Sequence, residues 1–211
     1  MRKVYKKFVA DFETTVYAEQ EYTEVWAGAL VPLYTEDVQI YHSIDDFFEA
    51  VFNIEGNVQI YFHNLKFDGS FIIPFLIRSE FSLALDSEGK YVKPKKMKNK
   101  SFQTVISDMG QWYKIIIKYH GRFYEILDSL KLLPFSVQTL GYTFDTKHKK
   151  LSMDYEGFRY AGCPISDKEK EYISNDVLVV KEALEIMFNQ GHDKLTIGSC
   201  CLEEFKDGFH K

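Results

Sequence analysis

The chain has little of what a secreted or membrane protein needs. Of its 211 residues only three are cysteine, Cys163, Cys200 and Cys201, with no CxxC pair among them. An odd count without spacing excludes a disulfide framework and suggests reduced thiols in a cytosol-like compartment. Long hydrophobic runs are missing too. The longest apolar stretch, Phe71 to Ile77, is far too short to span a bilayer, and no apolar segment follows the basic start Met1 to Lys7. A soluble, cytoplasmic protein without membrane contact is expected, in the host cytoplasm if a phage encodes it. Positive charge is not in excess either: the formal net charge is -5. That argues against a broad basic surface gripping duplex DNA, but not against an acidic site whose sign is reversed by bound cations. There is no internal repeat and no His or Cys cluster of the kind zinc selects.

What is present is a core and a pattern. Hydrophobic residues make up 45% and aromatic residues 16%, enough for one packed domain of ordinary size. Strands are expected over Val4–Phe12, Thr23–Tyr34, Asp37–Tyr41, Val58–Phe62, Phe102–Ser107, Trp112–Tyr119 and Arg122–Leu127. Ser43 reads as the N-cap of a helix carrying Ile44, Phe47, Phe48 and Val51 on one face. A second helix is expected from about Gly69 to Ser79, kinked or shifted by Pro74. Ser166-Asp167-Lys168-Glu169 is a capping box opening a long helix with Ile173, Val177, Val180, Leu184 and Met187 on one face. This mixture predicts an α/β sheet with helices packed against it. Lys90 to Lys100, rich in lysine, reads as a mobile surface loop, with single-stranded nucleic acid contact as the second reading.

Chemistry gathers in three acidic motifs: Asp11-Phe12-Glu13-Thr14, Asn64-Leu65-Lys66-Phe67-Asp68-Gly69 and Tyr172-Ile173-Ser174-Asn175-Asp176. On a strand, Asp11 and Glu13 share one face while Phe12 turns to the other. Asp68 follows a strand that can end beside the first. Tyr172 and Asp176 lie one helical turn apart on one face. Each acid alone is more often a cap, a turn residue or a solvated charge. Together, Asp11, Glu13, Asp68 and Asp176 can hold two divalent cations about 4 Å apart against a phosphodiester. Oxygen ligands without His or Cys select Mg²⁺ or Mn²⁺, two per site.

These motifs resemble the three exonuclease motifs of proofreading DNA polymerases, Asp-x-Glu, Asn-x-x-Phe-Asp and Tyr-x-x-x-Asp. More closely, the chain resembles the N-terminal 3′–5′ exonuclease domain of protein-primed family B DNA polymerases of the small Bacillus tailed-phage type. Asp11 to Thr15, Tyr61 to Gly69, Met109 to Tyr113, Asp128 to Lys131 and Tyr172 to Asp176 carry the match, which runs to about Asp207. The resemblance implies a ribonuclease H-like fold, a mixed sheet flanked by helices, with residues 1–190 as the exonuclease domain. It implies further roles: Thr14, His63, Asn64, Phe67, Ser129 and Leu130 holding the 3′ end of single-stranded DNA, Tyr155 contacting the primer end, Lys150 assisting catalysis, and Tyr172 orienting the attacking water. A related group of exonucleases places histidine five residues before the last aspartate. Here that residue is Glu171, so the tyrosine type is indicated.

Two departures stand out. Lys90 to Lys100 looks like an insertion, and no Tyr-x-Asp-Thr-Asp palm motif occurs. Residues 191–211 read as the start of a truncated or absent polymerisation domain. The expected activity is metal-dependent 3′–5′ hydrolysis of single-stranded DNA, with a terminal protein or a polymerisation domain as a further partner. From a different class, the alternative is a catalytically idle module that binds DNA or a terminal protein and regulates replication.

Overall fold

The computed structural model describes residues 4–15, 19–153 and 157–209. Eight strands form one mixed sheet: β1 Tyr5–Thr14, β2 Val25–Pro32, β3 Gln39–Tyr41, β4 Asn57–Phe62, β5 Ser82–Leu83, β6 Ser101–Ile106, β7 Trp112–Tyr119 and β8 Arg122–Asp128. Their spatial order is β3-β2-β1-β4-β8-β7-β6-β5. The centre, β1, β4 and β8, is parallel, and hairpins extend it on both sides. Five α-helices accompany the sheet: α1 Ile44–Asn53, α2 Leu65–Arg78, α3 Val137–Thr143, α4 Asp167–Asn189 and α5 Ile197–Phe209.

The pleat of β1 divides the interior. Phe8, Ala10 and Phe12 enter a core with Phe47, Phe48 and Val51 of α1 and Ile72, Phe75 and Leu76 of α2. Val9 faces the other way, into a core with Leu140 of α3 and Ile173, Val177, Val180 and Leu184 of α4. Helices therefore pack on both faces of the central strands, as parallel strands require. Asp11 and Glu13 continue the row of Val9, so they meet α4 rather than open water.

Local chemistry fixes the helices. The Ser43 hydroxyl accepts from Asp46 N–H, and α4 opens on a complete capping box between Ser166 and Glu169. The second helix departs from expectation. It begins at Leu65 rather than Gly69, so Asp68 lies in its first turn, and Pro74 is accommodated inside it with an exposed ring. The signal for the earlier start lies on another strand. Asp128 Oδ1 accepts from the backbone N–H groups of Asn64 and Leu65, at 3.1 and 3.3 Å, and caps the helix from outside.

The Lys90–Lys100 segment also differs from the loop expected of it. Leu85 bridges Tyr91, Pro94–Lys96 make a 3₁₀ turn, and Met97 is buried against Ala84, Ile116 and Phe123. One thioether among many lysines anchors the segment to the sheet.

Candidate metal centre

The parallel pairing of β1 with β4 stops at Val9 opposite Tyr61, while β1 runs on to Thr14. Asp68, from the first turn of α2, faces this end of β1, where the Phe12 backbone N–H favours its charged form. From the opposite face α4 lays Asp176 and Tyr172 over the same strand end. Asp11, Glu13 and Asp176 present carboxylate oxygens that all lie within 4.8 Å of one another. Asp68 stands beside this triad, and its charge is the strongest that Asp11 meets.

Packing carboxylates this way is costly. Burial first, then the charges of Asp68, Glu13 and Asp176, hold the Asp11 carboxyl well above the usual range. Asp68, only 2% exposed, is pushed up to about 8 by burial, and burial raises Asp176 despite its cationic neighbour. Asp68 Oδ1 and Asp176 Oδ1 are buried and accept no hydrogen bond from the described residues. Buried polar atoms are nearly always satisfied, and leaving one orphaned costs ~1–3 kcal/mol. Two orphaned carboxylate oxygens at one acidic cluster are what vacant ligand positions for a hard cation look like, so the residues fit Mg²⁺ or Mn²⁺.

One cation of the protein's own is present. The Lys150 ammonium contacts Asp176 Oδ2 and lies 3.4 Å from the Tyr172 hydroxyl. Burial would lower its pKa, but Asp176 and Tyr172 together hold it above the ordinary lysine value. A small cavity of about 140 Å³ joins Lys150, Asp176 and Asp11 to His63.

The residues assigned to strand binding sort less simply. Both ring nitrogens of His63 are engaged, Nδ1 with Ser129 Oγ at 2.9 Å and Nε2 with the Phe135 carbonyl at 2.7 Å. Burial lowers its pKa. Ser129, itself buried, donates to the Phe62 carbonyl. Thr14 is buried at the end of β1, and Leu130 is half-buried. Asn64 and Phe67 are exposed, Asn64 with a left-handed backbone (φ 75°) and Phe67 with its ring edge-on to Phe71. Tyr155 lies outside the described residues.

Two supporting residues lie in the matched motifs but have no role in the sequence reading. Asp128 is buried and ties three segments by accepting from Asn64, Leu65 and Leu130 N–H, the last at 3.0 Å. Aspartate at a strand end just before Ser-Leu-Lys was the available signal, a capping residue for the 3₁₀ turn Ser129–Lys131. Gly69 is the other. A Cβ there would sit 2.5 Å from Trp112 Cζ3, so only glycine lets the indole seat against α2 next to Asp68.

Comparisons place this arrangement among known proteins. The family model described as "DNA polymerase type B, organellar and viral" matches residues 51–167, over half of the chain. The DNA polymerase of Bacillus phage Nf is 39% identical over 208 residues, and that of Bacillus phage phi29 is 38% identical. In both cases the match covers 96% of this chain and 34% of the relative, so the chain spans about a third of their length. Phi29 DNA polymerase solved in complex with single-stranded DNA superimposes with a TM-score of 0.83 at 37% identity, over 97% of this chain and 35% of that one. That superposition bears out the ribonuclease H-like mixed sheet flanked by helices. The chain belongs to the type B DNA polymerases of organelles and viruses, and it corresponds to the N-terminal domain of the protein-primed kind.

Proposed function

We propose that this chain is a 3′–5′ exonuclease that shortens single-stranded DNA, the proofreading activity of a protein-primed polymerase. The observation that carries this reading is the convergence of Asp11, Glu13 and Asp176 within 4.8 Å, with Asp68 alongside and two orphaned oxygens. Asp11, Glu13, Asp68 and Asp176 would hold two divalent cations, which when bound stabilise charge on the phosphate and promote ionisation of water. The protein's own groups supply the rest. The Tyr172 hydroxyl orients the attacking water toward the terminal phosphodiester. The water oxygen bonds to phosphorus, the bond to the preceding nucleotide's O3′ breaks, and that O3′ takes up a proton. A nucleoside 5′-monophosphate leaves. Lys150, paired to Asp176 and adjacent to Tyr172, offsets the negative charge that develops.

Strand contacts divide by exposure. Phe67 offers an exposed ring for stacking on a base. His63 and Ser129, already bonded to one another and to backbone carbonyls, position the β4–α2 corner and present one side of the cavity that contains Asp11. Residues 1–190 form the exonuclease unit, and 191–211 lead toward a polymerisation domain. In support, α5 buries Cys200 but exposes Ile197, Leu202 and Phe205.

The test is a 5′-labelled oligonucleotide incubated with Mn²⁺, Mg²⁺ or chelator. Metal-dependent shortening from the 3′ end, abolished by Asp11→Ala, is the expected result. Absence of shortening in both metals would refute this reading and favour an idle binding module.

A further inference from the structure

A cavity of about 810 Å³ lies away from the carboxylates. Its floor is the sheet face that α4 leaves uncovered. Lys7, Gln59 and Glu125 line up in register there, and Tyr61, Leu127 and Lys114 form the next row. One wall is the anchored turn Lys93-Pro94-Lys95, and the other is Asp193-Lys194-Leu195. On β1 the row Tyr5, Lys7, Val9, Asp11, Glu13 runs from this cavity to the acidic cluster. Val9, packed under α4, separates the two, and four residues of strand put Asp11 ~13 Å beyond Lys7.

Charge decides what the cavity accepts. Glu125 has both oxygens occupied, by the Tyr5 hydroxyl at 2.9 Å and the Gln59 amide at 3.0 Å. Asp193 is paired with Lys194, and the Lys7 ammonium rests 4.3 Å from the Phe188 ring centroid. Lys93, Lys95 and Lys114 make no ion pair among the described residues, and all three line this one space. Both donors to Glu125 are neutral and do not cancel its charge, but Lys7, Lys93, Lys95, Lys114 and Lys194 outnumber Glu125 and Asp193 by three in this space, within a chain of net charge -5. Their mutual repulsion is relieved by an anion, and flexible ammonium groups suit phosphate as point charges. The volume falls within the usual range for small-ligand sites, about 300–1,000 Å³.

We propose that this cavity is a phosphate-binding site, distinct from the carboxylate cluster, that takes the phosphates of a nucleotide or of a single strand's backbone. The test is binding by the whole chain in chelator at ~50 mM salt, so that no divalent cation bridges phosphate to the acids. Two probes separate the sources: dATP by calorimetry, and a short fluorescein-labelled oligothymidylate by anisotropy. The expected result is that Lys93→Ala/Lys95→Ala/Lys114→Ala weakens at least one probe by about tenfold or more, while the triple arginine variant retains binding. If the strand is the ligand, the slope of log affinity against log salt falls by about 2, three contacts at roughly 0.7 each. A loss confined to dATP identifies the nucleotide as the source. Equal affinity of wild type and alanine variant for both probes would overturn the proposal. Failure of the wild type to bind either probe would also overturn it, leaving the cavity to an acidic protein segment.

Discussion

The ammonium of Lys150 sits on the carboxylate of Asp176 and 3.4 Å from the hydroxyl of Tyr172. One cation thereby links the acid of the third motif to its tyrosine, from a segment that approaches α4 across the outside of the fold. Lys150→Met keeps the aliphatic stem and removes the charge. Hydrolysis of single-stranded DNA should fall by about a hundredfold, the order of one lost electrostatic contact at a reacting centre. Asp176 then lacks its counter-charge as well as a partner for Oδ1, so the chelated protein should melt several degrees lower and recover in Mn²⁺. Unchanged turnover would exclude Lys150 from the reaction.

Tyr172 and the acids should separate in kinetics. Tyr172→Phe removes the hydroxyl proposed to orient water but leaves every carboxylate, so single-turnover hydrolysis should slow ~10–100-fold with Mn²⁺ affinity retained. Asp11→Ala or Asp68→Ala removes a proposed metal ligand and should cost about a thousandfold or more. Equal and small losses in all three variants would point to a different active site.

How far the sequence carried these conclusions differs by element. Seven of the eight strands and the capped α4 were legible because alternation, Ser166 and Glu169 write their own local code, whereas β5, Ser82–Leu83, is too short to show a pattern. The start of α2 was not, because its cap, Asp128, belongs to a strand 64 residues away from Asn64. Helix α3 was missed because, in seven residues, it buries only Leu140 and Gly141. Helix α5 was missed too, since it rests mainly on Cys200. The three acidic motifs could be read as a set, but their convergence depends on β1 outrunning β4, which is a matter of register. The internal bonding of His63 and Ser129 depends on the Phe135 carbonyl, which no side-chain pattern announces.

Gly69 gives a prediction about packing with a consequence for Asp68. In Gly69→Ala the new Cβ would meet Trp112 Cζ3 at 2.5 Å, so the indole must shift from its seat against α2. Denaturant unfolding should show a loss of ~1–3 kcal/mol, typical of overpacking. Because Asp68 is the adjacent residue, Mn²⁺ affinity should fall in the same variant. Adding Trp112→Leu, which shortens the obstructing ring, should restore both. Retention of full stability by Gly69→Ala alone would show that the indole is mobile.

Acidity should govern the stability of the metal-free protein with an unusual sign. Asp68 binds its proton more tightly when folded, with a pKa of about 8, than in an unfolded chain, where a carboxyl titrates near 4. Asp11 and Asp176 are shifted in the same direction, chiefly by burial. Across that window the native state holds more protons than the unfolded state, so Asp68 makes stability fall as pH rises from about 4 to about 8, and Asp11 and Asp176 add to the decline in the same direction. Lys150 is raised above the ordinary lysine value and keeps its charge throughout this range, adding no slope. Melting in chelator should therefore drop steadily between about pH 5 and about pH 8, and Asp68→Asn should flatten much of the decline. Mn²⁺ should reverse the trend, since a cation competes with protons for the same oxygens and gains affinity as they leave. A melting temperature that rises with pH in chelator would mean that these carboxylates are not held protonated, and that the cluster is neutralised by other means.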